Sequence, residues 1–230
     1  ILGRLEAEMI AQKLPVPEIL LRRQSRRLRA QVSEWLEAEQ EVWKKAERKL
    51  FPRHLEWRFG NSPDSLLRYP LEPNLSIPFS GAVDRIDVSE NGENYLLIDY
   101  KSSGSALLAK GIREGRRLQL WIYRQAVEQL LYPQKEALGG LYWDFKEMKR
   151  DQGMVRRQAY QAFVPKKIHA AAKSFLQDEE YEELETQLQN ALQSILSKIV
   201  AGDYSLKPRE CLGDSCSFSE ICRYDSKPSR

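Results

Sequence analysis

The chain has 230 residues, is 42% hydrophobic, and sets 36 Lys and Arg against 33 Asp and Glu for a net charge of +3. That length and apolar fraction can bury one good core, so one domain with appendages is expected. The slight basic excess excludes neither an enzyme nor a binder and lends only weak support to a polyanionic partner. No apolar run approaches the ~20 residues of a membrane span and no signal-peptide pattern occurs, so a soluble, cytoplasmic protein without a membrane role is expected. The opening Ile1-Leu2-Gly3, without an initiator methionine, reads as a piece of something longer.

Residues 4–14 and 18–50 read as helices separated by Pro15 and Pro17. In the second, Leu28, Val32, Trp35, Leu36 and Val42 recur at near-helical spacing among many charges. Five arginines between Leu21 and Ala30 read first as a solvated face and only second as a phosphate-tracking surface. His54–Gly60 alternates like a strand, and Ile77–Val88 is the next. An Asn-Gly turn within Glu90–Asn94 then returns the chain as Tyr95–Lys101, the partner strand of a hairpin. A helix is expected near residues 116–131, a strand over Ala137–Phe145, and another over Arg157–Val164 that closes a second hairpin. Residues 166–201 read as a long amphipathic helix, and 202–230 as an irregular tail.

Asp84 ends one apolar approach, "SGAVD", and Asp99 ends the next, "YLLID". Pairing those strands through the Asn-Gly turn brings the two carboxylates together, a costly arrangement unless a cation lies between them. Hard oxygen ligands in that number suit Mg²⁺ or Mn²⁺, which bind few protein groups and keep several waters. Residues i and i+2 of a strand share a face, so Lys101 stands beside Asp99 while Ile98 and Tyr100 point away. Such a lysine can orient an attacking water or stabilise developing negative charge. Asp99 and Lys101 alone would read as a surface ion pair, and Arg85 with Asp87 reads as a solvent-facing pair on the hairpin. Trp121, Tyr142 and Trp143 read as core packing, as do Trp35 and Trp43 on their helix. His54 and His169 read as solvated or structural. The clustered Cys211, Cys216 and Cys222 point to metal ligation more than to a disulfide framework, with zinc and free thiols as open alternatives.

"GAVDRID", then "YLLIDYKSSG", then "LQLWIY" resembles the PD-(D/E)xK nuclease superfamily, in particular its RecB/AddB-type nuclease domains, with the spacing D-x14-D-x-K running from Asp84 through Asp99 to Lys101. A bare D…DxK is weak, but Gln119 and Tyr123, one helical turn apart in a QxxxY pattern, sharpen it. The resemblance implies an α/β, restriction-endonuclease-like fold: a mixed central sheet flanked by helices, with N-terminal helices and a C-terminal cysteine-bearing tail. It implies a single nuclease domain over 1–230, comprising a helical part (1–50), a catalytic core (51–165), the long helix (166–201) and the tail (202–230). It implies that Asp84 and Asp99 hold Mg²⁺ or Mn²⁺ with the Tyr100 carbonyl and Glu56 assisting, and that Lys101 acts on water while Gln119 and Tyr123 line the site. Cys211-x4-Cys216-x5-Cys222 is similar to the family's C-terminal triplet, which with one earlier cysteine holds a 4Fe-4S cluster. Two departures stand: no cysteine precedes residue 211, and no early helix carries the histidine usual in such sites.

The activity implied is divalent-metal-dependent cleavage of single-stranded DNA, exonucleolytic in the expected mode, within a helicase–nuclease of double-strand-break repair and recombination. The partner would be a helicase region or a partner subunit, since no Walker-type motif occurs here. The alternatives are a stand-alone CRISPR-adaptation-type exonuclease and a non-catalytic DNA-binding scaffold that keeps the fold.

Overall fold

The computed structural model describes residues 17–102, 108–167 and 174–205. Its elements run α1 (Glu18–Lys45), β1 (Leu50–Phe59), β2 (Leu67–Glu72), β3 (Leu75–Phe79), β4 (Gly81–Ser89), β5 (Asn94–Lys101), α2 (Leu108–Arg113), α3 (Gln119–Leu130), β6 (Glu136–Asp144), β7 (Lys149–Arg156), α4 (Arg157–Tyr160), β8 (Phe175–Leu176) and α5 (Asp178–Val200). Six strands form the central sheet in the order β1-β4-β5-β6-β7-β8, and β2 and β3 form a separate pair. The β5–β6 and β7–β8 pairs are parallel and the others antiparallel, so the sheet is mixed. A parallel β5–β6 pair needs a crossover, and α2 and α3 lie in that connection. The architecture is the α/β fold with a mixed sheet flanked by helices that the resemblance implied.

Alternation along β5 divides the core. Leu96, Ile98 and Tyr100 face the side of α1, where Trp35, Ala38 and Val42 pack with Leu141, Trp143 and Val155. Tyr95 and Leu97 face the side of α3, among Ile86, Val88, Ala126 and Val127. Farther across the sheet, Tyr181, Leu184, Leu188, Leu192 and Leu196 of α5 make one stripe at helical spacing against Trp121, Tyr142 and Met154. Two glycines make the β6–β7 contact possible. At Gly139 (φ 122°) a side chain would begin 2.2 Å from the Met154 carbonyl oxygen, and at Gly153 (φ 150°) 2.2 Å from that of Gly140. Gly153→Ala is therefore expected to cost about 3 kcal/mol or more in stability, since backbone rather than a movable side chain must yield. Chemical denaturation with an unchanged midpoint would refute this.

Several sequence expectations are corrected. Residues 157–164 are not a strand: α4 and a 3₁₀ turn over Gln161–Phe163 follow β7, which is itself formed by Lys149–Arg156. Tyr160, Phe163 and Val164 bury at helical spacing, and this packing overrides the short alternation. The stretch read as one strand over 77–88 is β3 and β4, broken at Ser80, where the chain leaves the small pair and crosses close to Gly60. Helix α1 stops at Lys45, where Ala46 turns extended (φ -70°, ψ 143°), and the Lys49 ammonium satisfies the carbonyls of Trp43 and Ala46, both at 2.6 Å. The long helix begins only at Asp178, behind β8, with a Gln177–Glu180 capping box and three acidic residues in its first turn. Arg85 and Asp87 are 6% and 1% exposed, so the hairpin pair is buried rather than solvent-facing. Leu28 and Leu36 of α1 are 43% and 48% exposed and stay out of the core. Trp43 is exposed to a similar degree.

Candidate active site

The β4–β5 ladder pairs Val88 with Tyr95 and runs to Arg85 opposite Ile98. Carried one residue further, the same register sets Asp84 opposite Asp99. There the backbone pairing gives way to a side chain: the Tyr100 N–H donates to Asp84 Oδ2 at 2.8 Å. The Asp84 carboxylate thus lies against the peptide that joins Asp99 to Tyr100, and it acts electrostatically on Asp99. The N–H and C=O of one strand residue leave by the same edge, so the Tyr100 carbonyl opens toward β4 as well.

Asp99 is 2% exposed. Its Oδ2 faces the Lys101 ammonium as an ion pair but receives no aligned hydrogen bond, while Oδ1 accepts one from Gln119 Nε2 at 2.9 Å. Burial is the main influence on its carboxyl and raises its pKa; Lys101 opposes this and Asp84 adds to it, leaving the group above the usual aspartate range. Gln119 is the hub of the cluster. Its Oε1 accepts from Lys101 Nζ at 3.1 Å, and its Nε2 also donates to the Tyr123 hydroxyl at 3.1 Å. Gln119 is the first residue of α3 and Tyr123 lies one turn on, so both reach the same end of β5. Asp84, Asp99, Lys101, Gln119 and Tyr123 therefore converge.

Glu56 sits on β1, exposed, with φ 51°. The pairs Leu55–Arg85 and Trp57–Val83 bracket it opposite Asp84. A non-glycine residue in the left-handed region inside a strand is uncommon, and here it marks a local irregularity beside the carboxylates. No group of three or more His, Cys, Asp or Glu able to hold a metal occurs among the described residues. Asp144 stands beside Lys101 in the parallel ladder, but its Oδ1 accepts the N–H groups of Lys146 (2.8 Å) and Glu147 (3.2 Å) in the turn after β6. His54 hydrogen-bonds the Tyr132 hydroxyl at 2.7 Å, a structural contact away from this cluster. Cys211, Cys216, Cys222 and His169 lie outside the described residues.

The donor set fits a hard divalent cation. Two carboxylates meet at the divergent end of a hairpin, and one buried carboxylate oxygen has no hydrogen bond beyond its ion pair. Two carboxylates and a carbonyl would leave room for water and substrate around an ion that keeps part of its hydration shell. One residue beside this cluster was not marked out by its sequence context: Tyr142, paired with Asp99 across the β5–β6 ladder, whose ring lies under the Lys101 ammonium. Only strand pairing places it there.

The family model for the PD-(D/E)XK nuclease superfamily matches residues 2–223. A relative from Exiguobacterium sibiricum, the B-type component of an ATP-dependent helicase/deoxyribonuclease, is 34% identical over 110 residues, covering 45% of this chain and 10% of that protein. The match spans about a tenth of the relative's length.

Proposed function

The chain belongs to the PD-(D/E)XK nuclease superfamily, and from that premise we propose that it hydrolyses DNA phosphodiesters with a divalent cation held by Asp84 and Asp99. The observation that carries the reading is the meeting of these two carboxylates at the open end of the β4–β5 hairpin, with Lys101 beside them and tied to Gln119. When bound, Mg²⁺ or Mn²⁺ would neutralise phosphate charge and make its water more acidic. Lys101, three-quarters buried and held by Asp99 and Gln119, would direct its remaining N–H toward the attacking water or a phosphate oxygen and stabilise charge as it develops. Gln119 keeps the ammonium and the Asp99 carboxylate in register, and Tyr123 supports Gln119 from one turn farther along α3. The Tyr100 carbonyl and Glu56 are assigned supporting roles at the cation, the first from its strand edge and the second from its position opposite Asp84.

The relative's name, which joins a helicase to a deoxyribonuclease, supports DNA as substrate and a helicase as partner. Single-stranded DNA, a cytoplasmic setting and a role in break processing belong to the same proposal. Among the described residues no helix is long and apolar enough to cross a membrane. Cys211, Cys216 and Cys222 would supply three thiolates to a 4Fe-4S cluster, whose fourth ligand must come from elsewhere. Iron and acid-labile sulfide analysis of the purified protein tests that assignment.

The test of function is degradation of an end-labelled single-stranded oligonucleotide. Cleavage is expected with Mg²⁺ or Mn²⁺ and none with EDTA, restored by excess metal. Equal cleavage in EDTA, or none under any metal condition in a folded protein, would refute a metal-dependent nuclease.

A further inference from the structure

We propose that Tyr142 is a positioning residue whose ring face keeps Lys101 at the scissile phosphate when a divalent cation occupies Asp99, an inference that rests on the nuclease reading above. Tyr142 lies on β6 directly beside Asp99 in the parallel ladder and is 1% exposed. Lys101 Nζ stands 5.4 Å from the centre of its ring, within the range of cation–π attraction. The phenol is buried, and no hydrogen-bond partner for its hydroxyl is found among the described residues. An uncharged phenol presents an electron-rich ring face to the ammonium.

Among the described residues, the Lys101 ammonium contacts the Asp99 carboxylate, Gln119 Oε1 and the Tyr142 ring. A divalent cation on Asp99 draws that carboxylate away from the ammonium and repels the ammonium itself. Gln119 and the ring remain as its anchors. The Lys101 side chain is 26% exposed, so without the ring it has an open route to solvent. A neutral, immobile face attracts the ammonium without competing for the metal, as a second carboxylate would. Loss of the ring should thus lower kcat and leave substrate binding, and hence KM, largely unchanged.

The test compares Tyr142→Phe, Tyr142→Leu and the same position carrying 3,4,5-trifluorophenylalanine, whose shape is close to Phe but whose ring face is electron-poor. Phe is expected within about twofold of wild type, while Leu and the fluorinated ring lose about tenfold in kcat, the size of one partly buried cation–π contact. A readout independent of turnover is the ring-current shift of the Lys101 ε-methylene in the NMR spectrum of the metal-free protein. It should persist in Phe and vanish in Leu. Wild-type kcat in a folded Leu variant, or equal kcat for Phe and its fluorinated analogue, would overturn the proposal. Should Leu not fold, the fluorinated pair decides. Lys101→Ala, run in parallel, separates the two claims: its full activity would refute the nuclease site itself, whereas an inactive Lys101→Ala beside an unaffected Tyr142 series refutes only the role of the ring.

Discussion

Asp99→Asn is expected to lower DNA hydrolysis at least about 10³-fold, and in the same protein to leave the metal-free melting temperature unchanged or raise it by a few degrees. The two outcomes share one cause. Asp99 is almost fully buried, and burial outweighs the attraction of Lys101, so its carboxyl holds its proton more tightly in the folded chain than in the unfolded one. The stability this group contributes is therefore complete below the ordinary aspartate value of about 3.9 and is lost as pH rises through its raised native value. At neutral pH the charge costs stability, and a neutral isostere removes that cost. Asparagine keeps the shape and an oxygen for Gln119 but offers no negative charge to a cation. Addition of Mg²⁺ should thus raise the melting temperature of the wild type and not of the variant. Calorimetry in EDTA and in Mg²⁺, beside the cleavage assay, reads all of this. A variant that loses several degrees in EDTA would show Asp99 to be a structural partner of Lys101, and one that still cleaves would remove it from the site.

The β4–β5 hairpin was legible because its signals are local. The Asn-Gly turn fixes the pairing of β4 with β5, strand alternation puts Asp99 and Lys101 on one face, and helical periodicity puts Gln119 and Tyr123 on another. What escaped depends on distant chain. Tyr142 sits within an apolar strand, and its place under Lys101 follows from a parallel pairing across the α2–α3 crossover. The β2–β3 pair is obscured by Pro70 and Pro78, residues tolerated because each strand of a two-stranded pair has a free edge. Arg85 and Asp87 look like surface charges in any short window. Glu39, 46 residues before Arg85, Arg150, far along on β7, and the Tyr100 hydroxyl complete the network that makes their burial tolerable.

That buried network carries the largest expected stability effect. Arg85 donates to both oxygens of Asp87, each at 2.6 Å, and reaches Glu39 Oε2 at 2.9 Å, while Arg150 meets Glu39 Oε1 at 3.3 Å. Two cations and two anions thus close a neutral cluster between α1, β4 and β7. Asp87→Ala leaves the Arg85 guanidinium buried with Glu39 shared between two arginines, and a loss of about 3–5 kcal/mol is expected. Arg85→Met with Asp87→Leu should recover most of that loss, since removing both charges also removes their desolvation cost. The cluster also bears on the site. Strand side chains alternate, so anchoring Arg85 under α1 fixes the adjacent Asp84 toward Asp99, and a slip of one residue would drive the charges into the apolar face. The double replacement, stable but freed of that anchor, is therefore expected to keep its fold while cleaving DNA more slowly than wild type. Denaturant midpoints paired with cleavage rates decide the matter. An Asp87→Ala protein as stable as wild type would remove the cluster from the stability argument, and a double variant with undiminished cleavage would show that β4 holds its register through apolar packing alone.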